Sequence, residues 1–165
     1  MKAAIMGYGT IGSGVYEVLD RNCKIVEKKA GEPIKVKYIL DLREFPGTPI
    51  EKLVIHDVKT IVDDPEIGIV VETMGGTTPA YEFVKSCLLA GKHVVTSNKA
   101  LVAAHGTELI RIAAEKNVSF LFEASVGGGI PIIRPLVECL GGEEIEEISG
   151  ILNGTTNYCL LYTSP

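Results

Sequence analysis

The sequence has no Cys-x-x-Cys pair, no long apolar run, no basic stripe and no internal repeat, and each absence removes a class of protein. Its four cysteines, Cys23, Cys87, Cys139 and Cys159, are far apart. They lack the spacing of a zinc site or a redox dithiol and read as reduced thiols, mostly packed as small apolar groups. No apolar stretch reaches the roughly 18 residues that a membrane-spanning helix requires, so no membrane partner is expected. Met1 and Lys2 lead through four apolar residues straight into Gly7. That run is too short for the core of a signal peptide, and a cytoplasmic location is the expectation. A net charge of −5 and a pI near 5.3 argue against nucleic acid as a main partner. No low-complexity tract or shift in composition marks a second domain.

What is present suits one compact α/β domain. At 165 residues, 46% hydrophobic and 22% charged, the chain can bury a sizeable core but is short for a two-domain enzyme. Residues 2–7 read as a buried strand. Gly12 onward reads as a helix with Ile11, Val15, Val18, Leu19 and Val26 near one face, stopped by Gly31 and Pro33. A second strand spans 34–40 and ends at Asp41, and Asp57 is placed to cap a short helix before Asp63-Asp64-Pro65. The third strand is 68–72, followed by a helix with Thr78 as N-cap, Pro79 at its first position and Gly91 as its stop. Strand four is 93–96, and a helix over 100–116 is expected to break near Gly106. Strand five is 118–122, a helix covers 131–140 despite Pro135, and strand six is 145–152. Glu143, Glu144, Glu146 and Glu147 read as a solvated face. This alternation predicts a doubly wound parallel sheet of the Rossmann type with helices on both faces.

Four short motifs carry the chemistry. Gly7-Tyr8-Gly9-Thr10-Ile11-Gly12 fits Gly-x-Gly-x-x-Gly between a predicted strand and a predicted helix, the context in which that pattern binds a dinucleotide. Gly7 makes the turn, Gly9 lets a pyrophosphate approach, Gly12 permits close helix–strand packing, and the helix amides, including those of Thr10 and Ile11, face the phosphate charge. Asp41, at the end of strand two, is an acceptor for the adenosine ribose hydroxyls. It lies further along than the usual distance of about 20 residues, which calls for a long first helix. Arg43 beside it could pair with a 2′-phosphate, so NAD and NADP both remain open. Ligands of open α/β sheets bind beyond the carboxyl ends of the strands. Thr73 follows strand three there, and Thr96-Ser97-Asn98-Lys99 closes strand four, so Thr73, Ser97 and Lys99 join the cofactor-binding set. After strand five, Glu123 leads a glycine-rich loop to Pro131 whose oxygens could hold a hard cation or whose glycines could approach a ligand. Asn153 to Asn157 form the last motif.

The order GYGTIG, TSNKALVA, EASVGGGIPII, GILNGTTNY resembles the N-terminal half of homoserine dehydrogenases over nearly the whole chain. The first motif is shared with many oxidoreductases, whereas the other three in this order are specific. The resemblance implies NAD(P)-dependent interconversion of L-homoserine and L-aspartate 4-semialdehyde, on the route to threonine, methionine and isoleucine. It implies that Lys99 contacts cofactor and substrate and moves a proton. It also implies that Glu123, Val126, Gly128 and Ile130 hold a sodium or potassium ion, largely through main-chain oxygens. Gly154 and Thr155 fall where the family begins to contact substrate. The implied organisation is a dinucleotide-binding domain over 1–152 and, over 153–165, the start of a substrate and catalytic domain that is otherwise missing. The final residues match the family poorly. A homodimer is implied for the full-length enzyme, and no homoserine oxidation is expected from this portion alone. Another amino-acid dehydrogenase of this fold, such as aspartate dehydrogenase, or a nucleotide-sensing module are the competing readings. A semialdehyde dehydrogenase would need a nucleophilic cysteine at a strand end.

Overall fold

The computed structural model describes residues 1–140, 142–147 and 150. Six parallel strands form one sheet: β1 (Lys2–Met6), β2 (Lys35–Leu40), β3 (Val54–Ile55), β4 (Ile67–Glu72), β5 (His93–Thr96) and β6 (Phe120–Leu121). Their spatial order is β3-β2-β1-β4-β5-β6, the doubly wound order of dinucleotide-binding sheets, so the Rossmann-type fold expected from the sequence is the fold observed. The order reverses between β1 and β4, and a crevice opens there at the carboxyl ends.

Alternation along the strands sorts side chains to two cores. Ala4 and Met6 of β1 face one core, Ile5 the other. The larger core takes Ile61 from α3 (Lys59–Asp63), Val84, Cys87 and Leu88 from α4 (Ala80–Leu89), and Leu101, Leu109 and Ile112 from α5 (Lys99–Glu115). The smaller gathers Ile5, Ile39 and Ile50 under Val15 and Tyr16 of α1 (Thr10–Arg21). Leu88, Leu101 and Leu109 are fully buried. Truncating any one to alanine costs about 2–5 kcal/mol.

The amino ends of the strands are staked by lysines. Lys37 pairs with Asp64 and, at 2.6 Å, with Glu66, which Lys2 also reaches at 2.8 Å. Lys92, only 4% exposed, donates to the carbonyls of Asp64 (2.7 Å) and Ile67 (3.1 Å). Buried ammonium groups need such partners, and here they close off the end of the sheet opposite the crevice.

Several elements differ from the sequence expectation. The single helix expected between Gly12 and Gly31 is two, α1 and α2 (Cys23–Ala30), joined at Asn22. The Asn22 amide closes α1 on the Val18 carbonyl, while its own carbonyl accepts from Ile25 and Val26. Asparagine is a weak helix former whose side chain competes for the backbone, and α2 buries nothing that would hold the two helices in line. The strand β3 was not expected, because two residues carry no periodicity. Pro79, not Thr78, is the N-cap of α4, no side chain caps it, and the Thr78–Pro79 peptide is cis. The amide of Tyr81 is satisfied instead by the Thr77 carbonyl. Gly106 does not break α5; it is buried within 17 continuous helical residues. Pro135 is tolerated at the third position of α7 (Ile133–Cys139), within the first turn, where an amide has no intrahelical partner to lose. Of the strand expected over 145–152, residues 145–147 carry no regular structure, and 148, 149, 151 and 152 lie outside the described residues.

Other expectations hold. Asp57 Oδ1 accepts the amide of Lys59 at 2.8 Å at the start of α3. Val84 and Leu88 face the core with Tyr81 packed against it, Gly91 follows the end of α4 with φ +78°, and Glu143, Glu144, Glu146 and Glu147 are exposed. No helix among the described residues is long and apolar enough to cross a membrane.

Candidate functional site

The crevice is built from the glycine turn upward. The amide of Gly7 donates to the Leu40 carbonyl at 2.8 Å, continuing the β1–β2 ladder into the turn. Gly7 then adopts φ +95°, and a Cβ there would lie 3.0–3.1 Å from Met74. Gly12, buried in the first turn of α1, has its missing side chain's place taken by the Gly7 carbonyl, 1.9 Å from an ideal Cβ. Gly9 is the N-cap of α1 and has nothing within 4 Å of its own Cβ position. No side chain caps that helix end, so its first amides are directed at open space. A tight turn at Gly7, close packing at Gly12 and open space over Gly9 are the geometry that a pyrophosphate at a helix N-terminus requires.

Around this turn lies a cavity of about 490 Å³, whose wall includes Gly7, Gly9, Asp41, Arg43, His56 and Thr73. Thr73 extends β4 past its end, donating its hydroxyl to the Gly7 carbonyl at 2.8 Å and its amide to Met6 at 2.9 Å. Asp41, 9% exposed at its side chain, is the most heavily engaged carboxylate of the crevice. Oδ2 accepts from the Tyr8 amide (2.8 Å) and Arg43 Nη2 (2.9 Å), while Oδ1 accepts from the Arg43 amide (3.0 Å) and Nε (2.9 Å). The Arg43 guanidinium and those amides hold the carboxyl far below the usual carboxylate range, so it is an anion at any working pH. Arg43 Nη2 also reaches the Tyr8 carbonyl at 2.9 Å.

His56 was not singled out by the sequence. It follows β3, with Nδ1 2.7 Å from the Asp41 carbonyl and Nε2 2.8 Å from Glu44 Oε1. Those two acceptors raise its pKa, the Asp41 carbonyl most. The imidazole thereby ties down the loop that carries Asp41 and Arg43.

Ser97 and Lys99 stand at the end of β5, on the other side of the switch point from Asp41. They are not part of the cavity wall that holds the glycines. Asn98 is the N-cap of α5, its side chain accepting from the Leu101 amide at 3.1 Å, so Lys99 opens the helix as an exposed residue. Ser97 is half-buried, and its amide donates to the Glu72 carbonyl at 3.3 Å.

The glycine-rich segment after β6 is mostly helical. Glu123–Gly127 form α6, and Gly128 turns out of it with φ +63°. The Glu123 carboxylate caps α7, with Oε1 accepting from the amides of Ile132 and Ile133 (2.8 Å) and Oε2 from that of Arg134 (2.8 Å). Those donors lower its pKa, the Ile132 amide most. No cluster of three or more His, Cys, Asp or Glu capable of holding a metal occurs among the described residues. Gly154 and Thr155 lie outside the described residues. Cys87 is packed as expected, and its burial pushes the thiol up to about 12, whereas Cys23 and Cys139 are exposed because α2 and α7 bury no residue. None of these three is a nucleophile at a strand end.

A doubly wound sheet with this turn, this carboxylate and this crevice has the architecture of a dinucleotide-binding domain of the Rossmann type. The comparisons specify it. Residues 7–123 match a family model described as homoserine dehydrogenase, NAD binding domain, and residues 131–164 match one described as homoserine dehydrogenase. The chain belongs to the homoserine dehydrogenase family. It is 43% identical to homoserine dehydrogenase of Pseudomonas aeruginosa over 97% of its own length and 37% of that protein's. The solved homoserine dehydrogenase of Thiobacillus denitrificans is 41% identical, with a TM-score of 0.77 over 86% of this chain and 33% of that one. A hyperthermophilic archaeal homoserine dehydrogenase, solved in complex with NADPH, is 26% identical with a TM-score of 0.68, over 82% of this chain and 47% of that one. The chain thus spans little more than a third of the curated relative it matches.

Proposed function

We propose that this chain is the cofactor-binding portion of an NAD(P)-dependent enzyme interconverting L-homoserine and L-aspartate 4-semialdehyde, acting in the cytoplasm on the route to threonine, methionine and isoleucine. One juxtaposition carries the reading. The open cradle over Gly9 and the turn bearing Lys99 flank one switch point, so a bound dinucleotide would run from Asp41 toward Lys99. The nicotinamide, when bound, supplies hydride transfer. The chain's own residues do the rest. Thr10 and Ile11 offer amides to the pyrophosphate, Asp41 receives ribose hydroxyls, and Arg43 can meet a 2′-phosphate, so NAD and NADP are both accommodated. Lys99, with its amine in the uncharged form, would accept the proton of the substrate hydroxyl, while the hydride would pass to the nicotinamide.

A sodium or potassium ion would be held by main-chain oxygens of Glu123, Val126, Gly128 and Ile130. The Glu123 carboxylate is already engaged with three amides, so its contribution there would come through its carbonyl. The dinucleotide domain is assigned to residues 1–152 and the start of the substrate domain to 153 onward, with Gly154 and Thr155, outside the described residues, assigned to the amino-acid substrate. The complete enzyme is a homodimer. The test is the Lys99→Ala variant of the full-length enzyme. It should lose about 10²-fold or more in turnover, the scale of a positioned acid–base group. Near-normal turnover would remove Lys99 from the mechanism.

A further inference from the structure

One fully buried carboxylate of the crevice takes no part in this scheme. Glu72 ends β4, and its carboxylate bonds to the end of β5, to Asn98 and to the loop 74–76, whose Met74 and Gly75 line the cavity of Asp41 while Ser97 and Lys99 lie beyond it. Oε1 accepts from the Met74 amide at 2.8 Å and from Asn98 Nδ2 at 3.3 Å, and Oε2 accepts the Thr96 hydroxyl at 2.5 Å. Thr96 Oγ1 accepts in turn from the Asn98 amide at 2.9 Å. Asn98 Nδ2 spans the gap a second time, donating to the Gly76 carbonyl at 2.6 Å. Gly75 and Gly76 adopt φ +81° and +70°, a pair of left-handed residues that folds the loop after β4 back toward Asn98. A carboxylate shut away from water is costly, and an apolar side chain of similar size would fill the same space without that cost. The carboxylate is therefore kept for what it holds together.

We propose that Glu72, through Thr96 and Asn98, is a positioning residue. It fixes the turn bearing Ser97 and Lys99 against the loop 74–76, and so sets the grip on the nicotinamide half of the dinucleotide. The adenosine half is read elsewhere, by Asp41, whose carboxylate is tied to Tyr8 and Arg43. This inference rests on the dinucleotide reading above.

The experiment compares two ligands on three proteins. NADH and ADP-ribose, or their 2′-phosphorylated counterparts, are titrated calorimetrically into the unaltered chain, Glu72→Gln and Thr96→Val. Thr96→Val is nearly isosteric and removes both the hydroxyl donated to Glu72 and the acceptor for Asn98. It should weaken NADH by about tenfold, the scale of one or two hydrogen bonds, and leave ADP-ribose within about twofold. Glu72→Gln keeps acceptors for Met74 and Asn98 and should lose less NADH affinity than Thr96→Val. Equal loss of both ligands in Thr96→Val would make the cluster merely structural and overturn the proposal, as would undiminished NADH binding. Binding of neither ligand by the unaltered chain would overturn the dinucleotide reading, and the proposal with it.

Discussion

The hydroxyl of Thr73 donates to the carbonyl oxygen of Gly7 at 2.8 Å, in the space that a Cβ on Gly12 would enter. A Gly12 Cβ would stand 1.9 Å from that carbonyl and 2.9 Å from the hydroxyl. Three residues from three elements therefore lock the turn. Gly12→Ala should cost about 1–3 kcal/mol or more in thermal unfolding, since backbone has to move. Gly9→Ala meets no atom and should stay within about 1 kcal/mol of the parent, yet lose NADH affinity by about tenfold or more because its methyl enters the phosphate cradle. Equal stability of the two variants would mean that the turn is not locked as described.

Asp41 and Arg43 should divide the cofactors. Asp41→Ala removes the ribose acceptor and should weaken NAD more than NADP; Arg43→Ala should do the reverse. Calorimetric titration of both variants with both cofactors measures the double difference. Equal losses for NAD and NADP would show that neither residue reads the ribose.

His56 gives the crevice a dependence on pH. Its folded pKa lies above the ordinary value near 6.5, so the added stabilisation from donating through both ring nitrogens is fully present below that value and is lost as pH rises through the raised folded pKa. Asp41 acts in the opposite sense. Its depressed pKa makes its contribution complete above the ordinary carboxylate value, with no change between about pH 5 and pH 9. An NMR titration of the His56 ring should give a midpoint above 6.5, and protection of the amides of residues 41–45 should fall over the same range. A midpoint at or below 6.5 would contradict this.

Glu123 should act as the cap of α7. In Glu123→Ala the amides of Ile132, Ile133 and Arg134 lose their acceptor and should exchange with deuterium faster, while exchange in β1 and β4 stays unchanged. Unaltered exchange at those three amides would leave Glu123 without that role.

Gly7, Gly9, Gly12 and Asp41 were legible in the sequence because strand and helix periodicities change sharply around them, and the sheet followed from that alternation. Lys99 was legible as a strand-end residue, though the cavity that gathers the glycines with Asp41, Arg43 and Thr73 does not reach it. The break at Asn22 was hidden because Ile25 and Val26 continue the apolar spacing of α1. The strand Val54–Ile55 is too short to show a period, so the contact of His56 with the Asp41 loop went unseen. Glu72 carried a usable signal, a charge closing an apolar strand, but its partners Thr96 and Asn98 are 24 and 26 residues further along the chain. The capping role of the Glu123 carboxylate was hidden because it depends on how the chain returns at Ile132, which spacing does not reveal.

Where a dinucleotide lies on this sheet is reported directly by an amide-resolved NMR titration of the chain with NADH or NADPH. The account predicts saturable shifts at Gly7–Gly12, Asp41–Arg43, Thr73 and Ser97–Lys99, all at the carboxyl ends of the strands. Shifts clustered instead around Lys2, Lys37 and Lys92 at the amino ends, or no shifts at all, would contradict it.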